Sequence, residues 1–277
     1  MLILWMLSQR VLIRIVLDVI EPVPPVDVPA ARLAVALIRV AFFIVAMVFW
    51  TRYIDRLSLS NCGVSFSRDW FQRLVGGFTA VLLVLLAWNA IAAAVGWITI
   101  DPMGSDPHVG FAFLFVTLAL SAAIQQIVFF RVVLKNAAEG LHGRGVTPSR
   151  AVAGGLLVGL LFYVVTHDLP TAIRVLDLVL VGLVYGLLHV HTGDLGFPVG
   201  VHLGIWFLGS VLFGPPSGPG SGTVVFAKTG SLPAVLGVID AHGFPKVLLA
   251  YLLLLAWIRW TQGRVPLHRE IARRADR

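Results

Sequence analysis

Long apolar runs separated by short polar segments dominate the pattern of this chain. A helix that crosses the hydrocarbon core of a bilayer needs about 20 apolar residues at a rise of 1.5 Å per residue. Seven runs approach that length: Ala30–Trp50, Val75–Trp97, Val109–Leu134, Ala151–His167, Thr171–Val190, Leu195–Phe213 and Phe244–Trp260. The pattern therefore predicts an all-α fold, a polytopic transmembrane helix bundle of about seven spans.

The first 20 residues show a different pattern. They are apolar but carry Arg10, Arg14 and Asp18 at four-residue spacing, which places these charges on one stripe of a helix. This favours an amphipathic helix lying in the membrane interface, with an eighth spanning helix as the alternative. We therefore expect an N-terminal interfacial helix and linker over residues 1–29, a membrane bundle over 30–262 and a basic tail over 263–277.

Composition supports the membrane interpretation. Hydrophobic residues make up 58% of the 277 positions and charged residues 13%, against about 45–50% and 25% in soluble domains. The net charge of +7 comes from basic residues between the apolar runs and at the C-terminus. This distribution favours membrane lipids as partners and argues against nucleic acid. The single cysteine, Cys62, excludes an internal disulfide framework.

Lysine and arginine concentrate in the loop after the first run, the loop after the third run and the tail. Cytoplasmic loops are enriched in these residues. We therefore expect a multi-pass integral protein of a prokaryotic plasma membrane with a cytoplasmic C-terminus. The alternate segments, 98–108, 168–170 and 214–243, contain a single lysine, Lys228, and no arginine. Within the last of them, the Gly/Pro/Ser-rich stretch 214–222 predicts a flexible external loop.

Glycines recur at four-residue spacing in the fourth, fifth and sixth runs. Small residues on one helical face let backbones approach closely, so these runs are expected to form a tight core. Asp194 and Pro198 mark the start of the sixth helix, as an N-cap and an early proline would. The glycines are Gly155 and Gly159, Gly182 and Gly186, and Gly196, Gly200 and Gly204.

Polar residues within the runs are candidates for function, because each costs a few kcal/mol at the bilayer centre unless it is paired or useful. Arg174 and Asp177 are three residues apart on one helical face and are interpreted as an ion pair. His189 and His191 are two apart, so they point to different sides of a helix and cannot easily share a metal. Both are expected at the interface.

His167 and His202 are the stronger candidates for a shared metal site, since each lies on its own glycine-rich helix. Two imidazoles from neighbouring helices could supply half of a tetrahedral zinc shell. The alternative is that each forms a hydrogen bond across helices.

Three blocks within residues 121–207 then carry a resemblance. They are AIQQIVFFRVVLKNAAEGL (Ala123–Leu141), GLLFYVVTHDLP (Gly159–Pro170) and GLVYGLLHVHTGDLGFPVGVHLGIWF (Gly182–Phe207). The first block resembles the Glu-Glu-x-x-x-Arg helix of the CPBP family of intramembrane metalloproteases, and the second resembles its Phe-x-x-x-His block. The third resembles the block of that family in which a Gly, a Thr-Gly and a Pro precede the second histidine. This is the CAAX-prenyl-protease and bacteriocin-processing group, also called the ABI family.

The resemblance implies a metalloendopeptidase that acts on peptides or prenylated proteins inside the membrane. In such enzymes a glutamate, two histidines and an asparagine hold or activate a metal-bound water, which the metal makes more acidic. On this mapping Arg131 is the motif arginine, and His167 and His202 are the metal-binding histidines. Together with Gln126, these residues are the implied catalytic positions, and zinc is the implied cofactor.

The chain departs from the family pattern at the positions that carry the chemistry. Gln126 stands at the general-base glutamate, Ile127 at the second glutamate, Trp206 at the asparagine and Tyr163 at the motif phenylalanine. A neutral amide is not a base, and loss of a general base costs about 10² to 10⁴ in rate. The alternative is therefore a non-catalytic pseudoprotease that binds membrane helices or lipidated peptides. A small-solute transporter is a remote alternative, since the spans show no two-fold repeat.

Overall fold

The computed structural model describes residues 41, 45, 49, 52–53, 67–102, 108–167, 171–214, 225–230, 244–268 and 271, and every structural statement concerns these. The chain divides into two compact units, Met1–Met47 and Val48–Arg277. Of the first unit the structure describes Ala41 and Val45, both helical. The expected interfacial helix over residues 1–29 and most of the first run, Ala30–Trp50, lie outside the described residues.

The second unit is mostly helical, and two helices continue as π-helical segments. In chain order the helices are α1 (Arg68–Ala94), α2 (His108–Gln125) followed by a π-helical segment (Gln126–Val133), α3 (Leu134–His142), α4 (Pro148–Val165), α5 (Ala172–Thr192), α6 (Gly196–Phe207) followed by a second π-helical segment (Leu208–Leu212), and α7 (Phe244–Gln262). The strands are β1 (Ile98–Pro102), β2 (Phe213–Gly214) and β3 (Phe226–Gly230).

Local sequence signals set several of the helix ends. The Ser67 hydroxyl accepts a hydrogen bond from the Trp70 backbone N–H (3.2 Å) and so caps α1. Pro148 lies in the first turn of α4, where its missing N–H costs nothing. The N-cap residue of α6 is Leu195 and not the expected Asp194, but the Asp194 carboxylate accepts a hydrogen bond from the Gly196 backbone N–H (2.7 Å) and so satisfies one free donor of the first turn. Gly193 has a φ of 71° and follows α5, a position that favours glycine.

Four helical stretches are long and apolar enough to cross a membrane: Arg68–Ala94, Leu118–His142, Pro148–Val165 and Val175–Thr192. They correspond to the second to fifth of the seven predicted runs. The sixth and seventh runs yield shorter apolar helices, Gly196–Phe207 and Leu248–Trp260. The described residues thus support an all-α membrane-type fold with four helices of spanning length, fewer than the predicted number.

Large apolar side chains project outward from these helices. Leu83, Leu157 and Leu161 are 60–65% exposed, and Trp260 is 84% exposed. Water would make such surfaces costly, whereas lipid tails are as apolar as leucine. Burial is highest in Leu118–His142 and Val175–Thr192, where 56% of the residues in the most apolar window are buried, against 28% in Arg68–Ala94. These two stretches therefore lie at the centre of the bundle.

The glycine stripes bring backbones together, but not only among the fourth, fifth and sixth runs. Gly155 of α4 faces the Leu134 carbonyl, and Gly159 faces the Phe129 carbonyl, so α4 packs on the third run. On α6, Gly200 faces the Leu74 carbonyl, so this stripe packs on α1. The expectation of a tight core made by the fourth to sixth runs was therefore incomplete, because four-residue spacing defines a face of a helix and not its partner.

A small sheet joins two segments that were predicted as loops. β1 pairs antiparallel with β3, with Ile98 opposite Gly230, and β2 pairs parallel with β3, with Phe213 opposite Phe226. The segments that follow α1 and α6 therefore meet at one end of the helices. The loop 214–222 itself lies outside the described residues.

The opposite end is joined by polar contacts. Arg73 near the start of α1 forms an ion pair with Asp194 in the α5–α6 turn. The His191 Nδ1 donates a hydrogen bond to the Pro266 carbonyl (2.7 Å), and the His268 backbone N–H donates to the Val190 carbonyl (3.2 Å). The chain that follows α7 is thus attached to the end of α5.

Gly200→Ala should lower stability by about 1–3 kcal/mol, because a Cβ there meets backbone atoms of α1 that cannot move aside. The measurement is the thermal unfolding midpoint in mild detergent. Gly140→Ala is the matched control: its Cβ meets nothing within 4 Å, so the variant should gain up to about 1 kcal/mol from helix propensity. Equal unfolding midpoints for the two variants would contradict the close packing of Gly200 on α1.

Candidate functional site

The third run changes helical geometry where the predicted motif begins. The π-helical segment spans Gln126–Val133 and is largely buried. Its backbone hydrogen bonds run from residue i+5 to residue i, and such segments occur frequently at functional sites. Because residue i+5 lies about one turn on, Gln126 and Arg131 come closer to one side of the helix than α-helical geometry would allow.

Gln126 meets His202 in the centre of the bundle. The Gln126 Nε2 donates a hydrogen bond to the His202 Nδ1 (3.1 Å), and the two residues are 0% and 1% exposed. The bond joins the third run to α6 across 76 positions of sequence. An amide nitrogen can only donate, so the His202 Nδ1 is the acceptor and the ring proton lies on Nε2.

Two further aromatic rings enclose His202. The Tyr185 ring of α5 stacks on the imidazole at a centroid distance of 4.6 Å and an angle of 24°. Trp206 meets it edge-on at 4.5 Å. Trp206 occupies the position that the resemblance assigns to an asparagine, so an indole ring contacts His202 where the resemblance implies a polar side chain.

His167 belongs to the same aromatic cluster but has its own backbone partner. Its Nδ1 donates to the Tyr163 carbonyl (2.6 Å), and its ring lies 4.5 Å from the Tyr163 ring. Tyr163 in turn lies 6.2 Å from Tyr185. His167 is also close enough to His202 to interact with it electrostatically. We define the candidate site as Gln126, Tyr163, His167, Tyr185, His202 and Trp206.

Arg131, the expected motif arginine, lies within electrostatic range of another histidine. That residue is His189, near the C-terminal end of α5. His189 is fully buried, and its Nδ1 donates to the Asp194 carbonyl (3.1 Å). His189 is therefore buried beneath the α5–α6 turn at the end of the helix, and its expected placement at the membrane interface stays a prediction. His191 points elsewhere, to Pro266, as the two-residue spacing predicted.

The structure thus brings two of the four predicted residues into direct contact, Gln126 and His202. His167 joins them through two tyrosines, and Arg131 interacts electrostatically with His189. The predicted Arg174–Asp177 ion pair cannot be described, because the Arg174 side chain lies outside the described residues. Asp177 itself is buried.

The donors at this site match a zinc shell poorly. Among the described residues, no three side chains of His, Cys, Asp or Glu come together in a way that could hold a metal ion. Catalytic zinc usually has three protein ligands. The two imidazoles here are accompanied by an amide, an indole and two phenols, and the His202 Nδ1 lone pair already accepts a hydrogen bond from Gln126.

Tyr185 was missed in the sequence, although its surroundings contain a signal. The chain has only four tyrosines, and Tyr185 lies between Gly182 and Gly186 in an apolar run. A Cβ at Gly182 would come within 2.6 Å of the Tyr163 ring. The glycine stripe therefore makes room for one tyrosine beside the other. A hydroxyl-bearing ring inside such a stripe merits the same attention as a histidine.

Comparison with protein-family models, curated proteins and solved structures finds no match to this chain.

A double-mutant cycle should reveal the Gln126–His202 bond. Gln126→Leu and His202→Phe should each cost about 1–3 kcal/mol, because each leaves a buried polar partner unpaired. The double variant should lose less than the sum, with a coupling energy of about 0.5–3 kcal/mol. The measurement is the free energy of unfolding in mixed micelles.

The neighbouring Gln125 supplies the control for this cycle. Its Oε1 is buried with no hydrogen-bond partner among the described residues, and it makes no described contact with His202. Gln125→Leu combined with His202→Phe should therefore be additive within about 0.5 kcal/mol. Equal coupling in both cycles would mean that the effect does not come from the Gln126 bond.

Proposed function

We propose that this protein is a multi-pass membrane protein with the architecture of the CPBP intramembrane proteases, in which the catalytic site has become a non-catalytic binding site. The observation that carries the proposal is the hydrogen bond from Gln126 to His202. It sets the residue at the general-base position against the second motif histidine, as the resemblance expects, but with an amide in place of a carboxylate.

The chemistry of that bond disfavours peptide hydrolysis. A neutral amide cannot take a proton from water, and the nearest motif position, Ile127, is apolar and buried. The bond also occupies the His202 Nδ1 and leaves the proton on Nε2, so neither nitrogen offers a lone pair to zinc in this arrangement. We infer that zinc is not held here at stoichiometric level.

Two unpaired oxygens supply the argument for binding. The Oε1 atoms of Gln125 and Gln126 are buried, and neither has a hydrogen-bond partner among the described residues. Buried acceptors of this kind are rare, since each costs about 1–3 kcal/mol. Backbone N–H groups of an entering peptide could satisfy them, as in a membrane helix end or a lipidated peptide. The ligand class proposed is therefore a peptide within the membrane.

The seven-span topology remains part of the proposal. If β1 and the β2–β3 pair lie outside, then the Arg73–Asp194 ion pair and the chain after α7 lie inside. Every described contact between helix ends is consistent with that assignment. On this proposal the C-terminus lies in the cytoplasm of a prokaryotic cell, and the end of the bundle that carries Arg73 lies at the inner leaflet.

Zinc content and peptide cleavage together test the catalytic part. The detergent-purified protein should contain far less than one zinc per chain and should bind a fluorescent farnesylated peptide without cleaving it. Gln126→Glu places a carboxylate at this position and is the variant in which any zinc binding or peptide cleavage should be easiest to detect. Stoichiometric zinc with cleavage by the wild-type protein would overturn the proposal. Failure to bind the peptide would remove the binding assignment and leave the membrane fold unaffected.

Cysteine labelling tests the topology. In a Cys62→Ala background, Thr99→Cys in β1 should react with a membrane-impermeant maleimide added to intact cells, because the strand faces outward. Arg264→Cys after α7 should react only after the cells are opened. Both positions are exposed in the structure, so accessibility within the fold does not distinguish them. The reverse labelling pattern would invert the topology.

A further inference from the structure

A groove between α1, α6 and α7 lies away from the candidate site. It has a volume of about 600 Å³ and is lined by Asp69, Gln72, Arg73, Gly76, Ala80, Phe197, Leu253 and Leu254. Its α6 residue, Phe197, is five positions before His202. Because five residues turn an α-helix by about 140°, the groove and the candidate site are served by different faces of α6.

The groove is polar at one end and apolar along its length. Asp69, Gln72 and Arg73 lie in the first two turns of α1, whereas Gly76 and Ala80 lie further along the helix. Asp69 and Ala80 are 11 residues apart, which corresponds to roughly 16 Å along the helix axis. That length matches about half of a hydrocarbon core about 30 Å thick, which is the depth of one leaflet.

The surfaces beside the groove are apolar and exposed. Val75 and Leu83 of α1 are 57% and 61% exposed, and Leu249 and Leu252 of α7 are 46% and 49% exposed. An acyl chain of a surrounding lipid would lie beside these faces, next to the groove.

The charges at the polar end select the headgroup. Asp69 is exposed and forms no ion pair with the described residues, so it can accept from an ammonium group. The Arg73 side chain is 50% exposed although it is paired with Asp194, and its guanidinium has five N–H donors, more than that pair requires. The guanidinium and the Gln72 amide can donate to a phosphate. Two carboxylates, Asp69 and Asp194, lie beside the single guanidinium of Arg73, so this end favours a headgroup that carries an ammonium group over a net anion.

We propose that this groove is a binding site for one zwitterionic glycerophospholipid with a primary ammonium headgroup, of the phosphatidylethanolamine class. One acyl chain lies against Gly76, Ala80 and Leu253, the phosphate contacts Arg73 and Gln72, and the ammonium contacts Asp69. The groove shares no residue with the proposed peptide site, so the two assignments are tested separately and either can fail without the other.

Gly76 offers a way to fill the groove without disturbing the protein. A Cβ at Gly76 meets nothing within 4 Å, and the same is true at Gly140 on α3, which does not line the groove. Gly76→Leu and Gly140→Leu are therefore the same substitution at two open helical positions. Only the first should compete with an acyl chain.

The test is native mass spectrometry of the full-length, delipidated protein titrated with phosphatidylethanolamine, phosphatidylglycerol or phosphatidylcholine of identical chains. Wild type should retain one phosphatidylethanolamine about tenfold more tightly than phosphatidylglycerol, a difference of about 1.4 kcal/mol. Gly76→Leu should weaken retention of phosphatidylethanolamine about tenfold, whereas Gly140→Leu should leave it unchanged. Circular dichroism and the unfolding midpoint establish that the variants are folded.

Asp69→Asn provides a second variant that does not alter the shape of the groove. Loss of an exposed carboxylate should weaken phosphatidylethanolamine binding by up to about fivefold, the upper end of the range for one exposed ion pair, and should not weaken phosphatidylglycerol binding. Equal retention of phosphatidylethanolamine by Gly76→Leu and Gly140→Leu would overturn the assignment of the groove as the lipid site. Tighter binding of phosphatidylglycerol by wild type, or equal effects of Asp69→Asn on both lipids, would overturn the headgroup assignment.

Discussion

Backbone contact between α1 and α6 is the constraint on which the rest of this structure depends. Gly77 faces the Phe197 carbonyl and Gly200 faces the Leu74 carbonyl, so no side chain separates the two helices. Lipid tails compete equally with leucine for an apolar helix surface, and close packing of small residues is therefore what holds such helices together. The contact also orients α6. Because His202 lies two residues beyond Gly200, its side chain points away from α1 and into the bundle.

The polar interior follows from that orientation. His202 meets Gln126 at the start of the π-helical segment, and the rings of Tyr185 and Trp206 pack against its imidazole. A neutral amide–imidazole bond costs less to bury than an ion pair, whose desolvation penalty can exceed its Coulombic gain. A glutamine at position 126 therefore suits a buried core, because it joins the two helices without burying a charge.

Much of the helical content could be predicted from the sequence, because an apolar run of membrane length is itself the signal. Gln126 and His202 could be selected as polar residues in apolar runs, and the structure brings them into contact. Other features could not be predicted. A glycine stripe defines a face but not the neighbour that fills it, so the docking of Gly200 on α1 was missed. The three short strands lie in segments rich in turn-forming residues, where no periodicity is long enough to indicate pairing.

The two sites differ in depth and in helix face, although both use α6. Phe197, at the start of the helix, closes the groove beside the arginine-rich end, whereas His202 lies deeper and faces α5 and the third run. A lipid held by α1 and α7 would fill the space outside α6 and press it toward the bundle. This would favour the same α1–α6 contact that positions His202. Occupation of the groove and closure of the polar interior are thus expected to support each other through one helix, without any residue common to both sites.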